Sequence, residues 1–114
     1  MWFKLKNNIR KIDKNEVRSY ALKRISDVFS VPFDSLKYDD KFGVDLNCTY
    51  VSDLKFNEID MIYHDLRDVA TREILEEIED GLVVINTVGE YCEYMVRCSD
   101  VNAEEVAYVL GIPD

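Results

Sequence analysis

Residues 57–70 read Asn57-Glu-Ile-Asp60-Met-Ile-Tyr-His64-Asp-Leu-Arg-Asp68-Val-Ala70 and carry the clearest helix signal in the chain. Asn57 and Asp60 form a capping pattern, after which apolar residues recur at three- and four-residue spacing. The apolar stripe comprises Ile59, Ile62, Tyr63, Leu66, Val69 and Ala70. The acidic residues Glu58, Asp60, Asp65 and Asp68 are expected largely off that stripe. The stretch therefore predicts an amphipathic helix with an acidic face.

Similar signals predict further helices on both sides of this stretch. Asp13-Lys-Asn-Glu16 opens a helix expected over about 14–30, which must stop before Pro32. Residues 72–80 are Glu-rich and helix-prone, Thr87-Val-Gly-Glu90 is another capping box, and Asn102-Ala-Glu-Glu105 opens a last helix. The residues expected in one common core are Val17, Ile25, Phe29, Ile59, Ile62, Leu66, Val88, Cys92 and Val106.

Two stretches lack a clear helix pattern. Leu82-Val-Val-Ile85 is short, apolar and mostly β-branched, which fits either a short strand or a buried connector. Residues 31–52 are predicted to form a long ordered loop. Asp34, Asp39, Asp40 and Asp45 fall in this loop without the register of a calcium loop. We interpret them as solvated carboxylates that cap local turns.

Composition places the chain among folded, acidic globular domains. It has 114 residues and a net charge of -9, with no linker, so we expect a single domain over 1–114. Residues 1–25 hold eight basic and two acidic side chains, whereas the remaining 89 hold six basic and 21 acidic ones. Such an acidic body repels nucleic acid and attracts basic proteins. No segment resembles a signal peptide or a membrane span, so a cytoplasmic location without membrane contact is expected.

Residues that usually carry chemistry are sparse. The chain has one histidine, His64, its glycines are isolated, and Cys48, Cys92 and Cys98 lack the spacing of a zinc site. No activated nucleophile and no metal-ligand set can be assembled from these residues. We therefore expect a protein that is not an enzyme and that needs neither a metal nor another cofactor.

Two motifs resemble those of acyl carrier proteins. Asp53-Leu-Lys-Phe-Asn-Glu-Ile-Asp60 is similar to the Asp-Leu-Gly-x-Asp-Ser-Leu-Asp motif of that family, and Ile85-Asn-Thr-Val-Gly-Glu90 is similar to the start of its last helix. The resemblance covers residues 13–97 and implies an all-α, carrier-like four-helix bundle. Residues 98–114 would add an extra C-terminal helix, and residues 1–12 a basic N-terminal extension.

The chain departs from the family at the residue that holds the prosthetic group. The modified serine of the family falls at Glu58, whose carboxylate cannot form the phosphodiester to phosphopantetheine. A shifted alignment places Tyr50 there, and Ser52 lies outside the motif. The resemblance thus implies a degenerate carrier that keeps the acidic docking helix and loses the cargo.

These observations favour a non-enzymatic, acidic protein-binding module. The specific hypothesis is a bacterial immunity or antitoxin protein that neutralises a basic toxin, with a nuclease as one candidate. The alternative is a divergent acyl carrier protein, or a carrier-like regulator of fatty-acid or polyketide metabolism, read by a carrier-recognising enzyme. The residues expected to bind the partner are Glu58, Asp60, Tyr63, His64, Asp65 and Asp68. Oligomeric state is not predicted.

Overall fold

A computed structural model describes residues 11–46 and 57–113 of the chain. Within these ranges the chain forms five α-helices and no sheet, so the all-α prediction is confirmed. The helices are α1 (Lys14–Phe29), α2 (Glu58–Asp68), α3 (Arg72–Glu79), α4 (Val88–Ser99) and α5 (Ala103–Leu110). None of these described helices is long and apolar enough to cross a membrane.

The helix starts follow the predicted caps because each cap is a local interaction. The Asp13 carboxylate accepts a hydrogen bond from the Glu16 backbone N–H at 3.1 Å and opens α1. Complete capping boxes open α2 at Asn57 and α4 at Thr87. α1 ends at Phe29, one residue before the predicted end, because Ser30 adopts a left-handed conformation with φ 56°.

The cap of α5 differs from its neighbours. Asn102 precedes the helix, but its side chain makes no cap hydrogen bond. Its Nδ2 instead donates to the carbonyl oxygen of Val69 at 3.0 Å, which ties the start of α5 to the end of α2. Gly111 ends α5 in the left-handed region with φ 75°.

α4 is the central helix and packs against both α1 and α5. Tyr91, Cys92 and Met95 of α4 are fully buried among side chains of the other helices. Of the predicted core, Ile59 is half-buried. The other predicted core residues are all buried, namely Val17, Ile25, Phe29, Ile62, Leu66, Val88, Cys92 and Val106.

The described part of the long loop, residues 31–46, docks on the start of α4. The carbonyl oxygens of Tyr38 and Asp40 accept hydrogen bonds from the backbone N–H groups of Gly89 and Val88 at 2.8 and 3.0 Å. The Phe42 ring stacks on Phe29 with centroids 5.6 Å apart. The loop therefore covers one end of the core and supplies acceptors to the first turn of α4.

The stretch Leu82–Ile85 forms a connector and not a strand in the described structure. Ile85 alone of its four residues is buried. Directly after it, Lys41 and Thr87 form an isolated antiparallel bridge, and the Phe42 N–H donates to the Asn86 carbonyl at 2.9 Å. Residues 1–10 of the predicted basic extension, and Cys48, Tyr50 and Ser52, lie outside the described residues.

Candidate functional site

A partly buried ion pair joins α1 to α2, and a tyrosine of α4 is hydrogen-bonded to it. The Arg24 guanidinium donates to both carboxylate oxygens of Asp65, at 2.8 and 2.9 Å. The Tyr91 hydroxyl donates to the same carboxylate at 2.8 Å. The hydrogen bond to Asp65 raises the pKa of Arg24, and burial raises the pKa of Tyr91 well above its ordinary value. Arg24 therefore stays charged and Tyr91 stays neutral at physiological pH.

This pair corrects one expectation from the sequence. Asp65 was predicted to lie on the acidic surface and to bind a partner, but its exposed fraction is 3%. Its carboxylate is satisfied from inside the protein by Arg24 and Tyr91. Asp65 is a buried structural residue, and its charge is compensated before any partner arrives.

A surface hollow lies beside this ion pair. The α2–α5 hollow has a volume of about 590 Å³ and is lined by Arg24, Met61, His64, Asp65, Asp68, Tyr108 and Val109. Its lining thus comes from α1, α2 and α5. Tyr108 is a large aromatic side chain with an exposed fraction of 84%. An aromatic ring beside a concave, partly polar surface is a typical feature of a protein-binding site.

Three of the predicted site residues, His64, Asp65 and Asp68, line the hollow. His64 and Asp68 line it and lie one helical turn apart, with His64 Nδ1 3.3 Å from an Asp68 carboxylate oxygen. Both side chains are exposed. The imidazole and the carboxylate therefore contact each other at the surface of the hollow.

The other predicted residues lie elsewhere on α2. The Asp60 carboxylate accepts a hydrogen bond from the Asn57 N–H at 3.1 Å, as part of the capping box. The Tyr63 hydroxyl lies 3.5 Å from the Ile85 carbonyl oxygen, on the side of the connector. Glu58 is the first residue of α2 and is half-buried. The predicted set is therefore divided between the hollow, the helix start and the connector.

Tyr108 and Met61 were not identified as site residues from the sequence. Met61 precedes Ile62 of the stripe and is half-buried, so it lies at the edge of the apolar face. Tyr108 falls two positions after Val106, which places it on the outer side of α5. The sequence did contain a sign of this exposed position, because Tyr108 lies off the apolar stripe of α5.

Ion pairs between the helices neutralise part of the charge of the chain. Arg18 of α1 makes a two-point pair with Glu93 of α4 at 2.8 and 3.1 Å. Arg97 of α4 pairs similarly with Glu77 of α3 at 2.9 and 2.8 Å, and this hydrogen bonding lowers the pKa of Glu77. Residues 57–113 hold 14 acidic and three basic side chains. The carboxylates of this part of the chain therefore far outnumber its cations.

The described cysteines are poorly suited to nucleophilic chemistry. Cys92 and Cys98 are buried free thiols, and burial raises their pKa values to about 12 and about 11. Thiols with such pKa values are almost fully protonated at neutral pH. Across residues 11–46 and 57–113, no group of three or more His, Cys, Asp or Glu side chains is placed to hold a metal ion.

Two of the four loop aspartates, Asp40 and Asp45, have partners within the loop. A carboxylate oxygen of Asp40 accepts a hydrogen bond from the Lys37 N–H, and one of Asp45 accepts from the Lys41 N–H, each at 2.9 Å. These are the turn-capping contacts that the sequence predicted for aspartates in this loop.

Comparison with protein-family models, with curated proteins and with solved structures found no match. The resemblance to acyl carrier proteins thus stays a prediction.

Proposed function

We propose that this chain is a non-enzymatic, acidic protein-binding module that docks a basic protein, and more specifically an immunity or antitoxin protein that neutralises a basic toxin. The observation that carries the proposal is the 84% exposed Tyr108 at a hollow that also presents His64 and Asp68. Such a combination can bury an aromatic anchor and pair a carboxylate with a cation in one contact.

Tyr108 supports the proposal because of its chemistry and its surroundings. A tyrosine buries a large apolar area with few rotatable bonds and keeps a hydroxyl for a hydrogen bond, so it is enriched among the residues that dominate binding energy. Glu104 and Glu105 precede it by one turn of α5 and are exposed. The anchor is therefore surrounded by negative charge from α5 and from Asp68 of α2.

The charge of the surface favours a basic partner. Residues 57–113 carry 14 acidic and three basic side chains, and one of the three, Arg97, is paired with Glu77. A surface of one sign speeds the encounter with an oppositely charged protein and makes association depend on salt. Carboxylates can also occupy a basic cleft that binds phosphates, which is the reason for naming a nuclease as a candidate.

A photo-crosslinking experiment tests the proposal. p-Benzoylphenylalanine replaces Tyr108 in the host cell, and the same probe at the exposed Val44 serves as the control. We expect the Tyr108 probe to capture a basic protein whose toxic or enzymatic activity is blocked by the purified chain. Capture from both positions alike, or a captured partner that is acidic or keeps its activity, would contradict the proposal.

Single variants then test the hollow with that partner. Tyr108→Ala should weaken binding roughly tenfold or more, because an interface anchor of this kind is worth about 2 kcal/mol. Asp68→Lys should slow association and reduce its salt dependence. Glu79→Lys makes the same charge change on α3, outside the hollow, and should have a smaller effect. Equal effects of the two reversals would mean that total charge, and not this hollow, attracts the partner.

The divergent carrier protein is the second candidate. Glu58 is the first residue of α2, directly after its cap, which is where the resemblance places the modified serine. A binding module and a carrier differ in whether the chain ever holds a covalent prosthetic group, so mass spectrometry separates them.

A further inference from the structure

The connector Leu82–Ile85 has the side-chain pattern of a β-strand, although no described segment pairs with it as a strand. Leu82 and Val84 are 74% and 58% exposed, whereas Val83 is half-buried and Ile85 is buried. This alternation has the period of two that an extended chain gives. Four apolar residues, three of them β-branched, are unusual in a surface connector, and the core explains only the inward pair.

The backbone of the connector also lacks a hydrogen-bonded neighbouring strand among residues 11–46 and 57–113. Within the described part of the chain, the N–H groups of Val83, Val84 and Ile85 donate no hydrogen bond, and the carbonyls of Leu82, Val83 and Val84 accept none. The next residues already make strand-like contacts, because Asn86 accepts from the Phe42 N–H and Thr87 bridges to Lys41. Just before these contacts, the connector therefore presents a row of backbone N–H and C=O groups that have no partner among the described residues, as an edge strand does.

We propose that Leu82–Ile85 is an edge onto which an extended segment of a protein partner adds as a strand. The backbone groups would supply affinity through a short hydrogen-bonded ladder, and exposed Leu82 and Val84 would select apolar side chains on the added segment. This inference rests on the connector alone and does not depend on the proposed toxin-binding function.

Charge identifies the chemistry of the added segment. Glu79 and Asp80 are exposed and precede the connector, from which only Gly81 separates them. A segment in which basic residues alternate with apolar ones would satisfy both the carboxylates and the apolar side chains. A second copy of this chain would instead bring two Glu79-Asp80 pairs together, which like-charge repulsion disfavours.

The test uses the full chain labelled with ¹⁵N and the peptide acetyl-Lys-Val-Lys-Val-Lys-Val-amide. Amide chemical shifts and hydrogen exchange are followed at Val83, Val84 and Ile85. We expect the peptide to shift these amides and to slow their exchange. The same peptide with alternate backbone nitrogens methylated keeps its side chains and loses one row of donors, so it should bind about tenfold more weakly or worse.

Variants separate the connector from general acidity. Leu82→Ser combined with Val84→Ser should weaken binding, and Val101→Ser, which changes another exposed apolar residue, should leave it unchanged. No binding, equal binding of the methylated peptide, or shifts confined to the α2–α5 hollow would overturn the proposal. Exchange at Val83–Ile85 that slows with rising protein concentration alone would indicate a second copy and would also overturn it.

Discussion

Arg24 of α1 donates two hydrogen bonds to Asp65 of α2, at 2.8 and 2.9 Å, at the α2–α5 hollow that the candidate binding residues line. The pair removes one carboxylate from the surface and leaves Asp68, one turn further along α2, exposed. The same contact ties the first helix to the helix that supplies His64 and Asp68. The shape of the hollow therefore depends on an ion pair between two of its own lining residues.

Asp65→Ala is expected to lower the free energy of unfolding by about 2–3 kcal/mol. The substitution leaves the Arg24 guanidinium without its partner and the buried Tyr91 hydroxyl without its acceptor. The cost stays below that of a fully buried pair because the Arg24 side chain is 27% exposed. Urea unfolding followed by circular dichroism gives the value. Asp68→Asn is the matched control and should change stability by less than about 0.5 kcal/mol; a similar loss in both variants would contradict the structural role of Asp65.

Gly89→Ala is expected to destabilise the fold, although alanine is the better helix former. A Cβ at Gly89 would lie 2.8 Å from the Tyr38 ring and 3.0 Å from the Tyr38 carbonyl oxygen. The loop that covers the start of α4 would have to move, at a cost of about 1–3 kcal/mol. Thermal unfolding of Gly89→Ala, Tyr38→Ala and the double variant measures the coupling. A stabilised single variant, or additive effects in the double variant, would show that the close approach is unimportant.

The helix starts could be predicted from the sequence because caps and apolar stripes act within a few residues. Asn57, Asp60, Thr87 and Glu90 make the contacts that their spacing indicated. Asp65 was assigned to the surface because a carboxylate is normally placed there, yet it follows Ile62 by three positions and precedes Val69 by four, which is the register of the buried side. Its partner Arg24 lies 41 residues away, and no local pattern indicates such a pair.

The α2–α5 hollow was only partly predictable for the same reason. His64 and Asp68 follow from the pattern of α2, but the hollow exists because α5 packs beside α2 and brings Tyr108 to it. The packing of two helices separated by α3 and α4 is a property of the whole core. The sequence of Leu82–Ile85 fitted either a short strand or a buried connector, because a short apolar run does not indicate whether a neighbouring strand is present.

Stability is expected to fall as the pH rises above about 9. Burial raises the pKa of Cys92 to about 12 and that of Cys98 to about 11, whereas thiols in the unfolded chain ionise near 8.5–9. Below that range both states bind the same protons and the contribution is fully present. Above it the unfolded chain loses protons that the folded chain keeps, and each thiol reduces stability by up to about 1.4 kcal/mol per pH unit until its folded pKa is reached.

Urea unfolding between pH 7 and 10.5 measures this slope, and Cys92→Ala tests its origin. The variant is less stable at every pH because it leaves a cavity, but its stability should decline less steeply above pH 9. An unchanged slope would mean that the Cys92 thiol ionises in the folded protein as easily as in the unfolded chain. Tyrosines with raised pKa values, such as Tyr38 at about 12, add to the decline only above about pH 10.

Glu58→Ser is expected to leave the fold intact and to test the carrier alternative directly. Glu58 occupies the first turn of α2, where a carboxylate interacts favourably with the helix dipole, so its removal should cost about 0.3–1 kcal/mol. Asp60→Ser is a useful comparison, because it also breaks the capping box at Asn57 and should cost more. Both chains and the wild type are then coexpressed with a phosphopantetheinyl transferase and weighed by intact-mass spectrometry. The wild type should gain no prosthetic group, because the Glu58 carboxylate cannot replace a serine hydroxyl in that transfer. The new serine of Glu58→Ser gains the group only if the surface around the start of α2 still fits the transferase. Modification of the wild type at Ser52, or at any other serine, would contradict the interpretation of a carrier site that has lost its cargo and would favour a functional carrier protein.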